Sequence, residues 1–525
     1  MTDGGWAGTG WTGTDELAGL AATHPEAAAW VNLADGTALT LGDWDGQANR
    51  LARGLTGRGV APGERVVIAV GAAEPLAWLV AYTATHRAGA VAVPLNTRLA
   101  PPELQAILRH AEPVAILASA ATDAGVPWAE VAGGRPGLRL LATTAPATGT
   151  VEWSELFHPD SSPARPAGAG PPTDIVYTSG TTGAPKGVVV SHPPLERSPG
   201  PVAWNGLGFM SSSPFSTTSG ALLVYGPLRG GMTGWYLPRF DAGEWISLVE
   251  RRRPAVAFVV PAMAQLIVAH PRFTRADLSG LAALTIGGAP IAPATLERLG
   301  AQLTGTDILV GYGLTEFGAV TRSPSGDAGR HRGSVGRPLP GVEVRIVDRH
   351  GNDVGRGVEG EITVAGDGPG RRYFKEDAAM AGTWRHGWLH SGDLGRLDDN
   401  GFLWITGRTK DLIIRGGHNI APGEVENALF VHPDVVEAAV AGIPHDVLGE
   451  DVGAWVVLRA GSETTVEDLG DFLAARLADY KVPRRLTIVD ELPRNASGKV
   501  AKHELVPHAS WSIGRVGRSG PDRGH

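Results

Sequence analysis

The sequence predicts an α/β fold in which a large N-terminal domain precedes a small α+β C-terminal domain. The chain has 525 residues, which is more than one hydrophobic core normally organises. Its first part alternates apolar, strand-like runs with helical patterns, which is typical of parallel sheets covered by helices. From Gly336 to Arg408 short alternating strands follow one another between turn residues. That pattern indicates a small antiparallel sheet or a β-barrel-like region.

The N-terminal domain is expected to contain packed α/β subdomains. The runs "ERVVIAVGA" (Glu64–Ala72) and "GAVAVPLN" (Gly89–Asn96) are apolar and rich in valine, and a segment of helical spacing joins them. A similar alternation resumes at Ala255–His270 and at Leu281–Pro290. These repeated strand and helix patterns predict more than one α/β unit within the domain.

The domain boundaries are predicted from changes in composition and in the pattern of strands and helices along the chain. Residues 1–407 form the N-terminal domain, and 408–410 form a hinge. Residues 411–506 form a mobile C-terminal domain of a common domain size. The Gly- and Arg-rich tail, 507–525, is predicted to be disordered.

Charge and cysteine content exclude several classes of function. The net charge is −8, which disfavours an extended nucleic-acid surface. The chain has no cysteine, so any thiol chemistry must come from a substrate. The uncharged run Ser198–Leu228 is rich in Gly, Ser, Thr and Pro and predicts no membrane span. Because the N-terminus lacks signal-peptide features, we expect a cytoplasmic enzyme.

The loop "YTSGTTGAPKG" (Tyr177–Gly187) has the composition of a phosphate-binding loop. It differs from the P-loop of NTPases, in which Ser or Thr follows the lysine, because Gly187 follows Lys186. Its small residues let backbone N–H groups and hydroxyls surround phosphate oxygens, and Lys186 adds a positive charge. Taken alone, the same composition also fits a flexible surface turn.

Further motifs each have an ordinary structural explanation when taken singly. Tyr312 in "VGYGLTE" is placed either to stack on a base or to fill a core. Asp393 in "LHSGDLG" is expected in a tight turn, where it accepts hydrogen bonds from ribose hydroxyls or simply forms the turn. Arg408 in "GRTKD" suits phosphate and ribose contacts. Lys499 in "PRNASGK" lies either on a loop able to swing or at the surface as a solvated charge.

Together these motifs resemble those of a known superfamily. TSGTTGAPKG, GYGLTE, HSGD, GRTKD and PRNASGK occur in the order and at the spacings of the AMP-forming, acid-activating (adenylate-forming) enzymes. That superfamily comprises acyl- and aryl-CoA synthetases, firefly luciferase and the adenylation domains of peptide synthetases. The resemblance extends from about residue 25 to about residue 505. The chain looks most similar to stand-alone acyl- or aryl-CoA ligases.

The resemblance implies two half-reactions. A carboxylate attacks the α-phosphate of MgATP, which gives an acyl-adenylate and pyrophosphate. The C-terminal domain then rotates about its hinge, and a nucleophile, most often the thiol of coenzyme A, displaces AMP. ATP, Mg²⁺ and, as acceptor, coenzyme A are therefore expected.

The resemblance also implies a role for each matching residue. The expected catalytic residues are Lys499, Arg408, Glu316 and Thr315, and those that bind Mg²⁺ are Glu316 and Thr181. The nucleotide is expected to contact Thr178, Ser179, Gly180, Thr181, Thr182, Gly183, Lys186, Gly288, Ala289, Pro290, Gly311, Tyr312, Gly313, Leu314, Asp393 and Ile405. The acid pocket is expected to include Ser216, Thr217, Thr218, Gly287 and Val310. The acceptor is expected to meet Arg415, Gly416, Gly417 and His418, and Lys410 is the expected hinge residue.

The sequence departs from its relatives directly after His192. Relatives continue into a helix there, whereas this chain reads "PPLERSPGPVAWNG", whose prolines exclude that helix. Many relatives then carry P-x-F-H-x-x-G, but here "PFSTTSG" places Ser216 and Thr217 at the Phe and His positions. Small hydroxyl side chains suit a compact or polar acid, or leave room for a bulky partner. An alignment shifted by one residue explains the same letters.

Several functions stay open at this point. The leading hypothesis is an acyl- or aryl-CoA ligase. One alternative keeps adenylation but uses an amine or a free-standing carrier protein as acceptor. Another is a diazotase that uses ATP to activate nitrite for attack by an aryl amine. A non-catalytic adenylate-binding or scaffold protein is a further class, but the retention of Glu316, Asp393, Arg408 and Lys499 argues against it.

Overall fold

The computed structural model describes most of the chain, and its strands form four sheets within that part. The described residues are 13–120, 126–133, 135–164, 171–178, 186–192, 203–325, 331, 333–366, 371–376, 382–495 and 499–506. Two large sheets and a smaller one belong to the N-terminal part, and a fourth belongs to the C-terminal part. This arrangement confirms the predicted α/β fold with its small α+β C-terminal domain.

The strands are numbered in chain order. They are β1 (Ala28–Asn32), β2 (Ala38–Thr40), β3 (Arg65–Ala69), β4 (Val91–Pro94), β5 (Ala115–Ala118), β6 (Leu140–Thr143), β7 (Val151–Glu152), β8 (Thr173–Thr178), β9 (Lys186–Ser191), β10 (Gly208–Ser211), β11 (Thr233–Tyr236), β12 (Val256–Val259), β13 (Ala283–Ile286), β14 (Asp307–Leu314), β15 (Gly318–Arg322), β16 (Arg337–Pro338), β17 (Val342–Val347), β18 (Gly360–Gly366), β19 (Arg372–Tyr373), β20 (Trp384–Arg385), β21 (Trp388–Leu397), β22 (Leu403–Arg408), β23 (Ile413–Arg415), β24 (His418–Ile420), β25 (Val435–His445), β26 (Gly449–Leu458) and β27 (Arg485–Ile488).

Helices cover the sheets. Those of the N-terminal domain are α1 (Gly13–Thr23), α2 (Leu41–Gly57), α3 (Pro75–Arg87), α4 (Pro101–Ala111), α5 (Trp128–Ala132), α6 (Thr218–Arg229), α7 (Ala242–Arg252), α8 (Pro261–Ala269) and α9 (Pro293–Gln302). The C-terminal helices are Pro422–Phe430, Val466–Ala474 and Lys502–Leu505. Of the helices in the described part of the chain, none combines the length and hydrophobicity that a membrane span requires.

Parallel pairing brings the strand ends that matter for function to one edge. The first large sheet has the order β16-β15-β14-β13-β12-β10-β11-β1-β2, in which β10, β12, β13 and β14 are parallel to one another. The second has the order β19-β9-β8-β4-β3-β5-β6-β7. Because the carboxyl ends of parallel strands lie at one edge, the segments that follow β13 and β14 are neighbours. Such edges are where open α/β sheets bind their ligands.

An aromatic cluster fills the core beneath helix α6. Phe215 is 4% exposed, and its ring packs against Trp30, Trp78 and Tyr236 at centroid distances of 5.3, 5.1 and 4.6 Å. The aromatic residue of "PFSTTSG" therefore points into the core. This placement favours the alignment in which Ser216 and Thr217, rather than Phe215, occupy the pocket positions.

The third sheet corrects one expectation about Asp393. The antiparallel strands β21 and β22 pair so that Asp393 lies opposite Arg408, with an irregularity between Leu394 and Gly395. Asp393 therefore lies inside a strand and not in a tight turn. Gly392 does have a left-handed φ of 69°, but the strand continues through this residue to Leu397.

The C-terminal sheet has the order β24-β23-β26-β25, with β27 paired to β26. The chain enters it from Arg408 through a single 3₁₀ turn, Thr409–Asp411. The predicted hinge at 408–410 coincides with this junction, and its motion stays a prediction. The predicted disordered tail, 507–525, lies outside the described residues.

Candidate active site

The hairpin of β8 and β9 carries the predicted phosphate loop. Its last described pair is Thr178 opposite Lys186, and both side chains are half-buried. Lys186 Nζ lies 5.3 Å from the centre of the Tyr373 ring. The loop residues between the two strands lie outside the described residues; they include Ser179, Gly180, Thr181, Thr182 and Gly183.

The ends of β13 and β14 form the next part of the site. After β13 the backbone turns at Gly288, whose φ of 89° is left-handed, and Ala289 and Pro290 are exposed beyond it. A Cβ at Gly287 would lie 3.7 Å from the Gly311 carbonyl oxygen and 3.8 Å from Phe258. The predicted adenine and acid residues of the two strands are therefore adjacent.

Within β14 the predicted residues differ in exposure. Val310 is 7% exposed, Gly311 and Leu314 are half-buried, and Gly313 is exposed. A Cβ at Gly313 would lie 2.6 Å from the Gly318 carbonyl oxygen, so the close β14–β15 pairing requires glycine there. This hairpin fixes the direction in which the following residues, Thr315 and Glu316, leave the sheet.

Asp393 joins two other predicted site residues in one hydrogen-bonded group. The Tyr312 hydroxyl donates to Asp393 Oδ2 at 2.7 Å, and Arg408 Nε donates to Oδ1. Burial, together with the charge of Asp393, raises the pKa of Tyr312 well above its ordinary value, so its hydroxyl remains a donor. A carboxylate offers about four acceptor positions, so Asp393 retains capacity for ribose hydroxyls. Ile405 lies nearby on β22, opposite Gly395.

Thr315 and Glu316 are each held by a side chain from elsewhere in the fold. Thr315 Oγ1 lies 3.0 Å from Thr218 Oγ1 at the start of helix α6. The Tyr373 hydroxyl donates to Glu316 Oε1 at 3.0 Å. Burial, with the charge of Glu316, raises the pKa of Tyr373 to about 12. Tyr373 therefore stays protonated and orients the carboxylate.

Lys499 brings the C-terminal domain to the same site. Its backbone N–H donates to Asn495 Oδ1 at 3.0 Å, and the Asn495 N–H donates to the Lys499 carbonyl at 2.8 Å. Lys499 is exposed, yet the surrounding protein reduces the hydration of its amino group. This loss of hydration, followed by the positive charge of Arg408, lowers the pKa of Lys499, while Asp393 and Glu316 act in the opposite direction. The charges of these N-terminal residues therefore influence the protonation of Lys499.

The hydroxyl groups of the predicted acid pocket have different partners. Thr217 caps helix α6, because its hydroxyl accepts from the Gly220 N–H at 3.0 Å and donates to the Pro214 carbonyl at 2.9 Å. Thr218 pairs with Thr315, as described above, and Ser216 is half-buried. The Thr217 hydroxyl therefore forms its hydrogen bonds with backbone groups, whereas the Thr218 hydroxyl connects the predicted acid pocket to Thr315.

The predicted acceptor face also divides into two parts. Arg415 Nε lies 2.7 Å from Asp451 Oδ1, and Arg415 Nη1 donates to the Tyr480 carbonyl at 2.8 Å. Its guanidinium therefore supports the C-terminal domain itself. Gly416 and Gly417 are exposed with φ of 56° and 86°, and the exposed His418 ring stacks on Tyr480 at 4.5 Å. Lys410 lies in the 3₁₀ turn, where burial lowers its pKa.

Tyr373 and Arg371 are site residues that the sequence did not reveal. Strand β19, which contains Tyr373, pairs with β9, and Arg371 Nη1 donates to the Thr315 carbonyl at 2.8 Å. Neither residue belongs to a recognised motif. Their only signal is a strand pairing between segments far apart in the chain, which local sequence does not encode.

The carboxylate of Glu316 fits the chemistry that Mg²⁺ requires. The described residues contain no group of three or more His, Asp or Glu side chains arranged to hold a metal. Mg²⁺ needs no such cage, because it is commonly held by one or two carboxylates, water and the phosphates of a nucleotide. Glu316 supplies one such carboxylate beside Thr315.

These features together define an adenylate-forming enzyme. A buried carboxylate with spare acceptor capacity, a tyrosine and an arginine lie beside an exposed glycine turn. A threonine and a glutamate follow at the strand end, and a lysine enters from a second domain. This is the set of groups that the resemblance predicts for contacts with an acid, a ribose and an α-phosphate.

Comparison with known proteins assigns the family. The family model described as AMP-binding enzyme matches residues 18–374, and the model of the AMP-binding enzyme C-terminal domain matches residues 424–499. The chain belongs to the AMP-binding enzyme family and is an AMP-forming ligase, which confirms the resemblance described above.

Two curated relatives and one solved structure illustrate the likeness. Feruloyl-CoA synthase from Amycolatopsis sp is 36% identical, with 90% of this chain and 94% of that protein covered. Indoleacetate–CoA ligase from Aromatoleum aromaticum is 35% identical, with 89% and 92% covered. The crystal structure of the anthranilate CoA ligase AuaEII superposes with a TM-score of 0.82 over 95% of this chain and 97% of that one, at 24% identity. That structural likeness supports the fold.

Proposed function

We propose that the enzyme uses ATP to activate an aryl or arylalkyl carboxylic acid and transfers the acyl group to coenzyme A. The observation that carries this proposal is the hydrogen-bonded group of Tyr312, Asp393 and Arg408, because it brings groups suited to a ribose and a phosphate to one point. The two relatives named above act on feruloyl and indoleacetate groups, which are aromatic. Each matches this chain over more than nine tenths of its own length.

In the first half-reaction the nucleotide is held at both ends. Asp393 accepts hydrogen bonds from the ribose, supported by Tyr312 and Arg408. The glycine turn at Gly288 leaves space for the base, since an added Cβ would meet nothing closer than 3.8 Å. Lys186 and the preceding loop take the β- and γ-phosphates. The α-phosphate is thereby presented to Thr315.

Lys499 and Arg408 then offset the charge that builds up as two anions meet. A carboxylate oxygen of the acid attacks the α-phosphorus, the bond to the β-phosphate oxygen breaks, and pyrophosphate leaves. Preorganised positive groups lower this barrier because they need no reorganisation during the reaction. When bound at Glu316, Mg²⁺ would neutralise part of the phosphate charge.

The pocket composition supports an aromatic rather than a long aliphatic acid. Ser216 and Thr217 place hydroxyl groups where many relatives carry Phe and His, and Phe258 lies beside Gly287 at the strand ends. A flat ring fits between a glycine backbone and a phenyl edge, whereas an alkyl chain gains little from hydroxyl walls.

In the second half-reaction the exposed Gly416–His418 segment faces coenzyme A after domain rotation.

Pyrophosphate release across a panel of acids tests the proposal. The panel contains ferulate, indoleacetate, a long-chain fatty acid and nitrite, each with and without coenzyme A and an aryl amine. We expect release with an aromatic acid, and a thioester detected by mass spectrometry when coenzyme A is present. Ser216→Phe, which restores the bulk of the relatives, is expected to weaken use of the larger aromatic acids.

Three outcomes would overturn parts of the proposal. Faster release with the fatty acid would contradict the acid class. Release that needs nitrite and an aryl amine would replace the reaction with a diazotase reaction, and an amide product would replace the acceptor. No release with any acid would contradict adenylation itself.

A further inference from the structure

Arg371 is a buried cation without an ion-pair partner among the described residues. Arg371 is only 8% exposed. One N–H group donates to the Thr315 carbonyl at 2.8 Å, while the buried Nε has no hydrogen-bond partner in the part of the chain that the structure describes. Buried charges are normally paired, because an unpaired charge loses its hydration without compensation. Arg371 therefore needs an explanation that packing does not provide.

The two carboxylates that act on Arg371 electrostatically also accept hydrogen bonds from other side chains. Asp174 accepts from Tyr82 at 2.7 Å and contacts His86 and His192 at 2.8 and 2.9 Å. Glu316 accepts from Tyr373. Both carboxylates act on Arg371 through space, yet burial still lowers the pKa of its guanidinium to about 10. The group is positively charged at neutral pH all the same.

The position of Arg371 connects it to the predicted phosphate side of the site. It directly precedes β19, which lies along β9, the strand that leaves the phosphate loop. On its other side a Cβ at Gly318 would lie 3.3 Å from Arg371 Nη2. Arg371 thus links the segment that pairs with β9 to the segment that runs from Thr315 to Gly318.

We propose that Arg371 is a further positioning residue of the adenylation site, which fixes Thr315–Glu316 and supplies a positive charge that attracts the triphosphate of ATP. This inference rests on the roles proposed above for Thr315 and Glu316. The hydrogen bond to the Thr315 carbonyl holds the segment in place. The positive charge of Arg371 favours the nucleotide, which brings negative charge to a site where Glu316 alone would repel it.

Two variants separate the charge of Arg371 from its hydrogen bond. Arg371→Lys keeps the charge and loses the planar fork, whereas Arg371→Gln keeps an N–H donor and loses the charge. ATP–pyrophosphate exchange is measured for KM of ATP and for kcat. The second half-reaction is measured with supplied acyl-adenylate and coenzyme A, and thermal unfolding is recorded for each variant.

We expect Arg371→Gln to raise the KM for ATP by about 10- to 100-fold, the effect typical of losing an interaction with a charged group. Arg371→Lys is expected to keep the KM closer to that of the unchanged enzyme, and both variants to use supplied acyl-adenylate at near-normal rates. A lysine variant as poor as the glutamine variant, or equal loss in both half-reactions, would overturn the proposal. If one variant does not fold, the KM of the other still decides.

Glu316→Gln serves as the reference that separates this inference from the proposed function. If Glu316→Gln leaves the exchange reaction intact, the roles proposed for the Thr315–Glu316 segment are wrong. If Glu316→Gln impairs exchange while Arg371→Gln leaves the KM for ATP unchanged, the inference about Arg371 alone is wrong.

Discussion

The residues around Lys499 shift the pKa of its amino group. Burial and the neighbouring Arg408 lower its pKa, and the carboxylates of Asp393 and Glu316 limit that decrease. An exposed lysine has a pKa near 10.4, so Lys499 loses its proton at a lower pH than a surface lysine does. Because the role proposed for Lys499 in adenylation needs the protonated form, we expect the first half-reaction to slow as Lys499 loses its proton.

The pH dependence of exchange tests this link. We expect the rate of ATP–pyrophosphate exchange to fall on the alkaline side with a midpoint below 10.4, since the cation is present below its pKa and lost above it. Lys499→Arg, which stays charged, should move or remove this alkaline limb even if its maximum rate is lower. An unchanged limb in Lys499→Arg would assign the titration to another group.

For single residues, the motifs indicated which side chains belong to the site but not which side chains they contact. Asp393 and Tyr312 were each ambiguous in the sequence. The pairing of β21 with β22 brings Asp393 opposite Arg408, and the Tyr312 hydroxyl reaches Asp393 from β14. Arg371 and Tyr373 had no motif at all. Their contacts arise from strands that are distant in the chain, so no local pattern reports them.

Among the elements, the β8–β9 hairpin is anchored by one buried carboxylate. Asp174 on β8 contacts Tyr82 and His86 on helix α3, and His192 just beyond β9. Burial alone would raise its pKa, but the charges of His192 and His86 outweigh this and lower it well below the ordinary value. Asp174 therefore fixes the base of the hairpin that carries the phosphate loop.

Replacing Asp174 should destabilise the N-terminal domain. Asp174→Asn removes the charge and leaves its partners imperfectly matched, and breaking a buried charged pair costs about 3–5 kcal/mol. A depressed pKa stabilises the fold above the unfolded value, about 3.9, and that contribution is lost as the pH falls through the folded value. The asparagine variant should therefore show a weaker dependence of stability on acid pH.

Denaturant unfolding between neutral and acid pH measures this effect. The exposed Asp446 provides the matched control, because a surface Asp446→Asn change is expected to alter stability by less than about 0.5 kcal/mol. Equal stability of the Asp174→Asn and Asp446→Asn variants would contradict the anchoring role.

Element types were predictable where periodicity is strong. The valine-rich runs became the parallel strands β3 and β4, and the segment between them became helix α3. The turn expected at Asp393 was wrong, because a glycine of left-handed φ can belong to a distorted strand as well as to a turn. The local sequence does not distinguish a distorted strand from a turn, because the outcome depends on pairing with the neighbouring strand.

For the whole molecule, the sequence indicates two domains but not their relative orientation. Arg408, Asp393 and Glu316 act electrostatically on Lys499, which is the arrangement expected for the proposed adenylate formation. In the proposed second half-reaction, the Gly416–His418 segment would approach instead. The short turn Thr409–Asp411 between the domains is where we expect this change of orientation to occur.

A proline in that turn should separate the two half-reactions. Lys410→Pro fixes the backbone φ near −65°, so rotation is impeded while the present arrangement is retained. We expect exchange to change little and thioester formation from supplied acyl-adenylate to fall by about 10²-fold, as for a misplaced catalytic group. Lys410→Ala, which leaves the backbone free, is the control. Equal losses in both steps for Lys410→Pro would contradict a hinge at this position.

The most direct test of the account is the Lys499→Ala variant, measured in both half-reactions. Loss of one preorganised positive group is expected to lower ATP–pyrophosphate exchange by about 10²–10³-fold. Conversion of supplied acyl-adenylate and coenzyme A to the thioester should continue at a near-normal rate. Equal loss in the two half-reactions, or exchange that survives without the lysine, would contradict the claim that Lys499 completes the adenylation site.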